Sequence, residues 1–536
     1  MEGKELSNAP EEEQEQHLKR KSKKKKIIIV ICIIILFAGI LCATYFMFNK
    51  KEKEPEKEVE VTDKKLYAPY RIVNNDINDF DLYFMQLENN GKNMIYSPLS
   101  IKYTLGMLAE GAKGETKSQI TNIIGKYKSN KYINNKNMSF ANAMFIRDTF
   151  KKNVKEDYIN NLKNKYSAEV VFDSFKTPDT INNWVSNKTL KLINNLFDEA
   201  PDNDFMLVNA LAIDMEWVNK IRDENEDYDV HYSHRDFYTG IAAFLGGGHQ
   251  ELKFKGAENS VKSIEIGAVA NRYDIINELG EDNIRNEITK EYQAWLDNGA
   301  ENGCANSAAE EPSAKEFVDN YMKELAVGYK DVTSSTDFTF YDGDDEKVFA
   351  KDLKTYNGTT LQYVGIMPKK DELKTYIKNA NAKKINELIN NLKSIELDSF
   401  KDRVVTHITG FIPVFNYDYK LDLNKDLTKL GIINIFDSKK ADLTNLSKGN
   451  AYIGDTLHKA TIDFSNDGIK AAAVTVGGGK GDGMCGFDHI YKMPVEEIDM
   501  TFDKPYIYII RDKKSGEVWF AGSVYEPTKY EPDPSM

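Results

Sequence analysis

The side chains best suited to catalysis or metal binding are few in this chain and widely scattered. Seven histidines occur singly along 536 residues. No His-Glu-x-x-His pair is present to hold zinc on one helix face, and no Gly-x-Ser-x-Gly turn to expose a nucleophilic serine. VGGGKGDGM (Val476–Met484) has the glycines of a loop whose amides cradle phosphate. However, no serine or threonine follows Lys480 to reach a magnesium ion, and the glycine spacing is wrong. YDGDDE (Tyr341–Glu346) is acidic without the ligand spacing of a calcium loop, and reads as a solvated turn. Of the four cysteines, Cys32 and Cys42 fall in an apolar run, while Cys304 and Cys485 stand far apart and alone. Neither a zinc cluster nor a disulfide framework is encoded. A single Cys304–Cys485 bridge is left open, because spacing does not say whether two sulfurs meet. The expectation is a chain with no catalytic residue, no metal and no cofactor.

Composition narrows the partners. A net charge of -13 argues against a nucleic-acid binder, which needs a basic face to neutralise phosphates. Hydrophobic content of 41% supplies a large core, and length alone suggests two to four domains. Ile27–Phe48 (IIIVICIIILFAGILCATYFMF) is a run of 22 residues without a charge. At 1.5 Å per residue such a helix spans a hydrocarbon core of ~30 Å. Lys19, Arg20, Lys21 and Lys23–Lys26 precede it directly and predict a cytoplasmic N-terminus. A signal peptide has a shorter apolar region, of ~7–15 residues, and no small-residue cleavage site follows here. The expectation is an uncleaved anchor: a basic tail over 1–26, a transmembrane helix over 27–48 in the lipid bilayer, a charged stalk over 49–65, and an exported domain beyond. Lys-, Asn- and Ile-rich usage with this anchor suggests a bacterial cell-surface protein.

The elements of the exported part follow from periodicity and punctuation. Residues Ile77–Glu88 read as an amphipathic helix, and Asn93–Gly125 as a short strand, then a helix from Ser97-Pro98 with breaks at Gly111 and Gly114. Strands are expected over Ser139–Arg147, Glu169–Phe172 and Met206–Trp217, and helices over Val154–Tyr166 and Asp179–Leu196. Residues 219–335 are less regular, with short helices expected over Lys290–Leu296 and Ala314–Leu325 and an exposed loop over Glu301–Ala314.

A further pattern runs through the chain in order. It comprises NMIYSPLSIKYTLGMLAEGAKGET, FANAMFIRDTFKKNVKEDYINNLKNKYSAEVVFDSF, INNWVSNKTLKLINNLF, LVNALAIDMEW, LHKATIDFSNDGIKAAAVTV and FDKPYIYIIRDKKSGEVWFAGSVYEP. Six such segments in this order resemble the serpin family across residues 66–529, apart from an insertion within 219–335, followed by a tail over 530–536. The resemblance implies one α+β domain with three β-sheets, eight or nine helices and an exposed reactive loop over 466–504, in place of the several domains that length suggests.

It also implies a trap. A protease attacks a bait bond in the loop, the upstream half of the loop inserts as a new strand into the large sheet, and the acyl-enzyme is dragged along. On this resemblance Gly468, Ile469, Ala471, Ala472, Ala473, Val474 and Thr475 form the hinge; small residues suit a strand that must slide into a sheet. Ile469 stands where many inhibitory members carry a small hydroxyl residue. Lys470 stands where an acid is common, and its side chain should point to solvent. The family spacing places the bait bond at Asp482-Gly483, with Lys480, Met484 and Cys485 as alternatives because the loop is long. Ser97, Ser100, Asn209 and His458 match the polar cluster that controls sheet opening, and Trp217 matches a tryptophan where the loop first enters. The implied function is inhibition of serine or cysteine proteases at the cell surface. A non-inhibitory binding or adhesion module is the alternative.

Overall fold

The computed structural model describes residues 70–218, 249–265, 268–269, 280–297, 312–328, 338–394, 405–454, 456–465, 468–469 and 495–531. These lie in one compact unit, residues 65–536, distinct from residues 1–64. The expected anchor and stalk, Cys304, residues 471–475 of the hinge and residues 480–485 of the bait region lie outside the described residues. Among the described residues no helix is long and apolar enough to cross a membrane.

The strands, in chain order, are β1 (Met94–Tyr96), β2 (Met138–Arg147), β3 (Glu169–Asp173), β4 (Phe205–Ile213), β5 (Met215–Glu216), β6 (His249–Leu252), β7 (Val261–Glu265), β8 (Ala268–Val269), β9 (Phe338–Asp342), β10 (Glu346–Asp352), β11 (Leu361–Pro368), β12 (Val405–Thr409), β13 (Phe411–Pro413), β14 (Phe415–Asp422), β15 (Leu457–Phe464), β16 (Gly468–Ile469), β17 (Val495–Asp499), β18 (Tyr506–Asp512) and β19 (Val518–Val524). The helices are α1 (Asp79–Leu87), α2 (Pro98–Gly111), α3 (Gly114–Ile124), α4 (Glu156–Tyr166), α5 (Asp179–Lys188), α6 (Glu281–Asp297), α7 (Ala314–Gly328), α8 (Leu373–Asn379), α9 (Ala382–Asn390) and α10 (Leu423–Leu430).

Ten helices among the described residues exceed the eight or nine expected. The excess comes from α6 and α7, which are longer than the short helices expected there. They pack on each other through Ile284, Ile288, Val318 and Met322, with Tyr292 stacked on Phe317 at 4.0 Å. Arg285 ties the pair through Asp319 at 2.7 Å.

The largest sheet has the order β1-β19-β18-β11-β10-β9. Its central strands β19, β18 and β11 are buried on both faces over most of their length, so they read as nearly continuous apolar runs, whereas the edge strand β9 alternates. In β18, Ile507 and Ile509 pack toward α1 and α2, while Tyr506, Tyr508 and Ile510 pack toward a second layer that includes β14 and β15. The period-2 alternation of a strand splits one apolar run between two cores.

The second layer is the one that positions the site. It consists of two ladders, β3-β2-β4 and β14-β15-β16-β5, rather than one continuous sheet. The chain runs directly from β4 into β5, so one strand line belongs to both ladders: paired with β2 along its length and with β16 only at its end. The remaining ladders, β17-β12-β8 and β13-β7-β6, likewise share the segment 405–413. Among the described residues the three sheets expected are thus divided into five hydrogen-bonded ladders.

Helix α5 ends at Lys188, not at Leu196 as its apolar spacing suggests. Leu190 and Lys191 adopt left-handed φ values of 54° and 64°, which no helix continues. The Thr189 hydroxyl takes the Ile193 amide at 3.1 Å, and the chain peels away as a bar over the second layer.

Candidate functional site

The site is a slot. β4 and β15 run in the same layer, yet among the described residues no ladder joins them. Helix α2 floors the slot and the 189–197 bar covers it. Two cavities fill the space between. One, of ≈ 300 Å³, is lined by Leu211 and Ile213 of β4, Ile462 and Asp463 of β15, and Ile95 and Phe520 below. The other, of ≈ 60 Å³, is lined by Asn209 of β4, Thr456 just before β15, His458 of β15, and Ser100 and Thr104 of α2. Ile193 of the bar lines both and so lies at their boundary. Asn182 of α5 pins the bar, accepting from the Leu196 and Phe197 amides at 2.9 and 3.0 Å and donating to the Phe197 carbonyl at 2.7 Å.

The polar cluster lies at the smaller cavity. Ser97 caps α2, and its hydroxyl accepts the Ser100 amide at 3.1 Å. Pro98 at the first helical position has no amide to satisfy. The Ser97 amide donates to His458 Nε2 at 2.9 Å, which ties the helix start to β15. An accepting Nε2 requires a neutral ring. Burial supplies that condition by lowering the His458 pKa to about 4. Asn209 faces the same cavity from β4. Its amide donates to Asn142 of β2 at 2.6 Å, and Asn142 donates to the Tyr166 carbonyl at 2.9 Å. Asn209 Oδ1 and Thr456 Oγ1 are buried without a hydrogen-bond partner. Ser97, Ser100 and His458 therefore form one half of the cluster and Asn209 the other, on opposite walls of an unfilled slot. Nothing in the sequence signals Asn142, Thr456 or the bar as parts of this site.

At its upper end the slot is already begun. β16 pairs with β15 through Phe464 and Ile469, and with β5 through Gly468–Glu216 and Ile469–Met215. Gly468 and Ile469, expected at the hinge, thus form the first two residues of a strand between β15 and the β4–β5 line. A Cβ added to Gly468 would fall against the Met215 carbonyl oxygen and within 2.7 Å of Glu216 Cα. The glycine is required by close backbone approach as well as by the bend. Gly468→Ala is accordingly expected to unseat β16. The loss of local stability is about 1–2 kcal/mol, measurable as faster hydrogen exchange of the Ile469 amide with unchanged exchange in β18.

Trp217 is fully buried beneath this junction. Its indole donates to the Ser465 carbonyl at 3.0 Å, and its ring meets Phe464 and Tyr363 edge-on at 5.6 and 6.1 Å. Ser465 in turn holds Gly468, its amide donating to the Gly468 carbonyl at 3.0 Å. The tryptophan therefore fixes the turn from which the hinge leaves β15. Among the described residues no group of acids, histidines and cysteines is arranged to hold a metal ion.

Comparison with known proteins agrees with this geometry. The family model described as "Serpin (serine protease inhibitor)" matches residues 77–236 and 323–527, well over half of the chain, and leaves out 237–322 between its two parts. A serpin-like protein of Methanosarcina acetivorans is 23% identical over 479 residues, covering 84% of each chain. The native state of a thermophilic serpin, tengpin, superposes with a TM-score of 0.54 at 21% identity, over 85% of this chain and 96% of its own. Thyroxine-binding globulin, in a complex with thyroxine, gives the same TM-score at 17% identity, over 87% of this chain and 99% of its own. This chain belongs to the serpin family.

Proposed function

We propose that this chain is a cell-surface suicide inhibitor of serine or cysteine endopeptidases. The observation that carries the reading is the slot: among the described residues β4 and β15 are not joined to each other, and Gly468 and Ile469 are seated as the first two rungs of a strand between their lines. Serpins inhibit proteases and are not themselves enzymes, so the chemistry belongs to the target. Its nucleophile attacks the bait carbonyl, the downstream peptide leaves with a new amino terminus, and the acyl bond remains. Residues following Ile469 then fill the slot. Ala471, Ala472 and Ala473 are small enough to pass the bar, and Thr475 supplies a hydroxyl at the depth of His458 and Asn209. The bait bond is assigned to Asp482-Gly483, with Lys480, Met484 or Cys485 as alternative positions. The apolar run 27–48 serves as the anchor in the bilayer, with the serpin domain outside.

A second reading is favoured by one observation. Residues 237–322, which the family model leaves out, include α6 and the first nine residues of α7, and this helix pair has a packed core of its own. A non-inhibitory binding module would use that pair as its contact surface, and thyroxine-binding globulin shows that the fold also serves binding.

The test is incubation with trypsin-, chymotrypsin-, elastase-, subtilisin- and papain-like proteases. A band stable in SDS at the summed mass is expected, and the mass of the released C-terminal peptide locates the bait bond. Cleavage without such a band for every protease would sink the inhibitory reading and favour the second.

A further inference from the structure

Three ionisable side chains are buried together where α1, α2 and the start of β19 meet: Asp81 of α1, Lys102 of α2, and Glu517 just before β19. Each is 0% exposed. Lys102 Nζ lies 2.6 Å from Asp81 Oδ1, and apart from that contact neither atom has a hydrogen-bond partner. The Tyr127 ring stands 5.6 Å from the same Nζ. The other Asp81 oxygen, Oδ2, accepts the Asn78 amide at 2.8 Å. Glu517 Oε2 accepts from Asn130 at 2.7 Å and from the Tyr132 hydroxyl, while its Oε1 is buried without a partner. Burial raises the Asp81 pKa, Lys102 lowers it in part, and the Glu517 charge raises it again, so the two carboxyl groups act on each other. A simple ion pair needs one carboxylate for one ammonium. Here a second carboxyl group is buried beside the pair, with an oxygen left over.

We propose that Lys102 and Asp81 are joined by an amide bond from Nζ to Cγ, formed inside the folded chain, with Glu517 as the proton carrier. An uncharged amine and an uncharged carboxyl group cost less to bury than two ions, so one proton passes from Nζ to Oδ1 within the pair. The Nζ lone pair then attacks Cγ, held beside it by the fold. Charge develops on Oδ2, where the Asn78 amide already donates. Nζ gives a second proton to Glu517 Oε1, which passes it to Oδ1, and Oδ1 leaves as water with both protons. The third proton stays on the amide nitrogen. One C–N bond forms, one C–O bond breaks, and nothing is oxidised or reduced. The product replaces two buried ions by one neutral amide. It staples α1 to α2, the helix that floors the slot, and it forms whether or not the loop inserts.

The experiment maps full-length chains, purified in mild detergent, by mass spectrometry after denaturation and digestion with trypsin. Cleavage after Lys92 separates Asp81 from Lys102 unless a bond joins them. In the wild type the two peptides are expected as one branched species, lighter than their sum by one water, about 18 Da. Lys102→Arg keeps the positive charge and offers no amine, so its peptides should separate. Glu517→Gln keeps the size and cannot take the proton, so the joined fraction at a fixed time after synthesis should fall at least about tenfold. Separate peptides in the wild type overturn the inference and leave a buried ion pair. That result needs no variant, so it decides even if a variant fails to fold. A joined species in Lys102→Arg also overturns it, and an undiminished fraction in Glu517→Gln overturns the role of Glu517.

Discussion

Trp217→Ala is expected to destabilise the serpin domain by about 3–5 kcal/mol, the range for deleting a large aromatic side chain from a packed core. Three losses combine. The indole is 0% exposed, so its removal leaves a cavity among Phe464, Tyr363 and Leu353. The Ser465 carbonyl loses its donor. The turn that seats Gly468 and Ile469 then has no anchor beneath it. Urea denaturation measures the first effect, and hydrogen exchange at Ile469 measures the last. Trp217→Phe separates them: it keeps most of the packing, loses only the hydrogen bond, and should cost no more than about 1–2 kcal/mol. If the alanine variant loses less than ~1 kcal/mol, the buried junction described here is not holding the domain together.

Acid should weaken the same layer through His458. The ring has a folded pKa of about 4 because burial disfavours its charged form, against ~6.5 in an unfolded chain. Between these values the unfolded chain binds the proton and the folded chain does not. The His458 contribution is therefore fully present above pH ~6.5 and falls away as pH drops toward 4. Over that interval the loss attributable to this one group is roughly 3 kcal/mol. Protonation also makes Nε2 a donor, so it no longer accepts the Ser97 amide and α2 loses its tie to β15. Denaturation midpoints between pH 7 and pH 4 should fall steeply in the wild type. They should fall less in His458→Gln, whose amide oxygen accepts the same amide but does not titrate. Carboxylates that titrate in this range contribute equally to both proteins, so the difference isolates the histidine. Identical slopes would remove His458 as the acid-sensitive element.

Much of the fold was legible because its causes are local. Ser97 and Pro98 mark a helix start by capping and by a missing amide, and α2 begins there. The largely apolar runs FANAMFIR, YIYIIRD and VWFAGSV give β2, β18 and β19. Where the sequence failed, a tertiary contact overrode a local pattern. The apolar spacing of 179–196 suits one helix, but the second half unwinds because Thr189, Asn182 and the cavities below offer Ile193 and Leu196 a better burial. In the insertion, sequence found helices but underestimated both, because their pairing through Tyr292 and Phe317 stabilises residues of weak helical pattern.

Residue types in order along the chain determined the family resemblance, the absence of catalytic motifs, the apolar run of 27–48 and the small residues after Gly468. These depend on composition and short-range spacing, which a single strand of text carries in full. The slot was decided by tertiary structure alone. Ser97 meets His458 across 361 positions and Trp217 meets Ser465 across 248, and no periodicity records such a meeting. The gap between β4 and β15 among the described residues and an acceptor on Asn209 left without a donor both arise from which distant strands lie side by side. Each strand satisfies its own pattern equally well beside any neighbour, so only the folded chain specifies the neighbour.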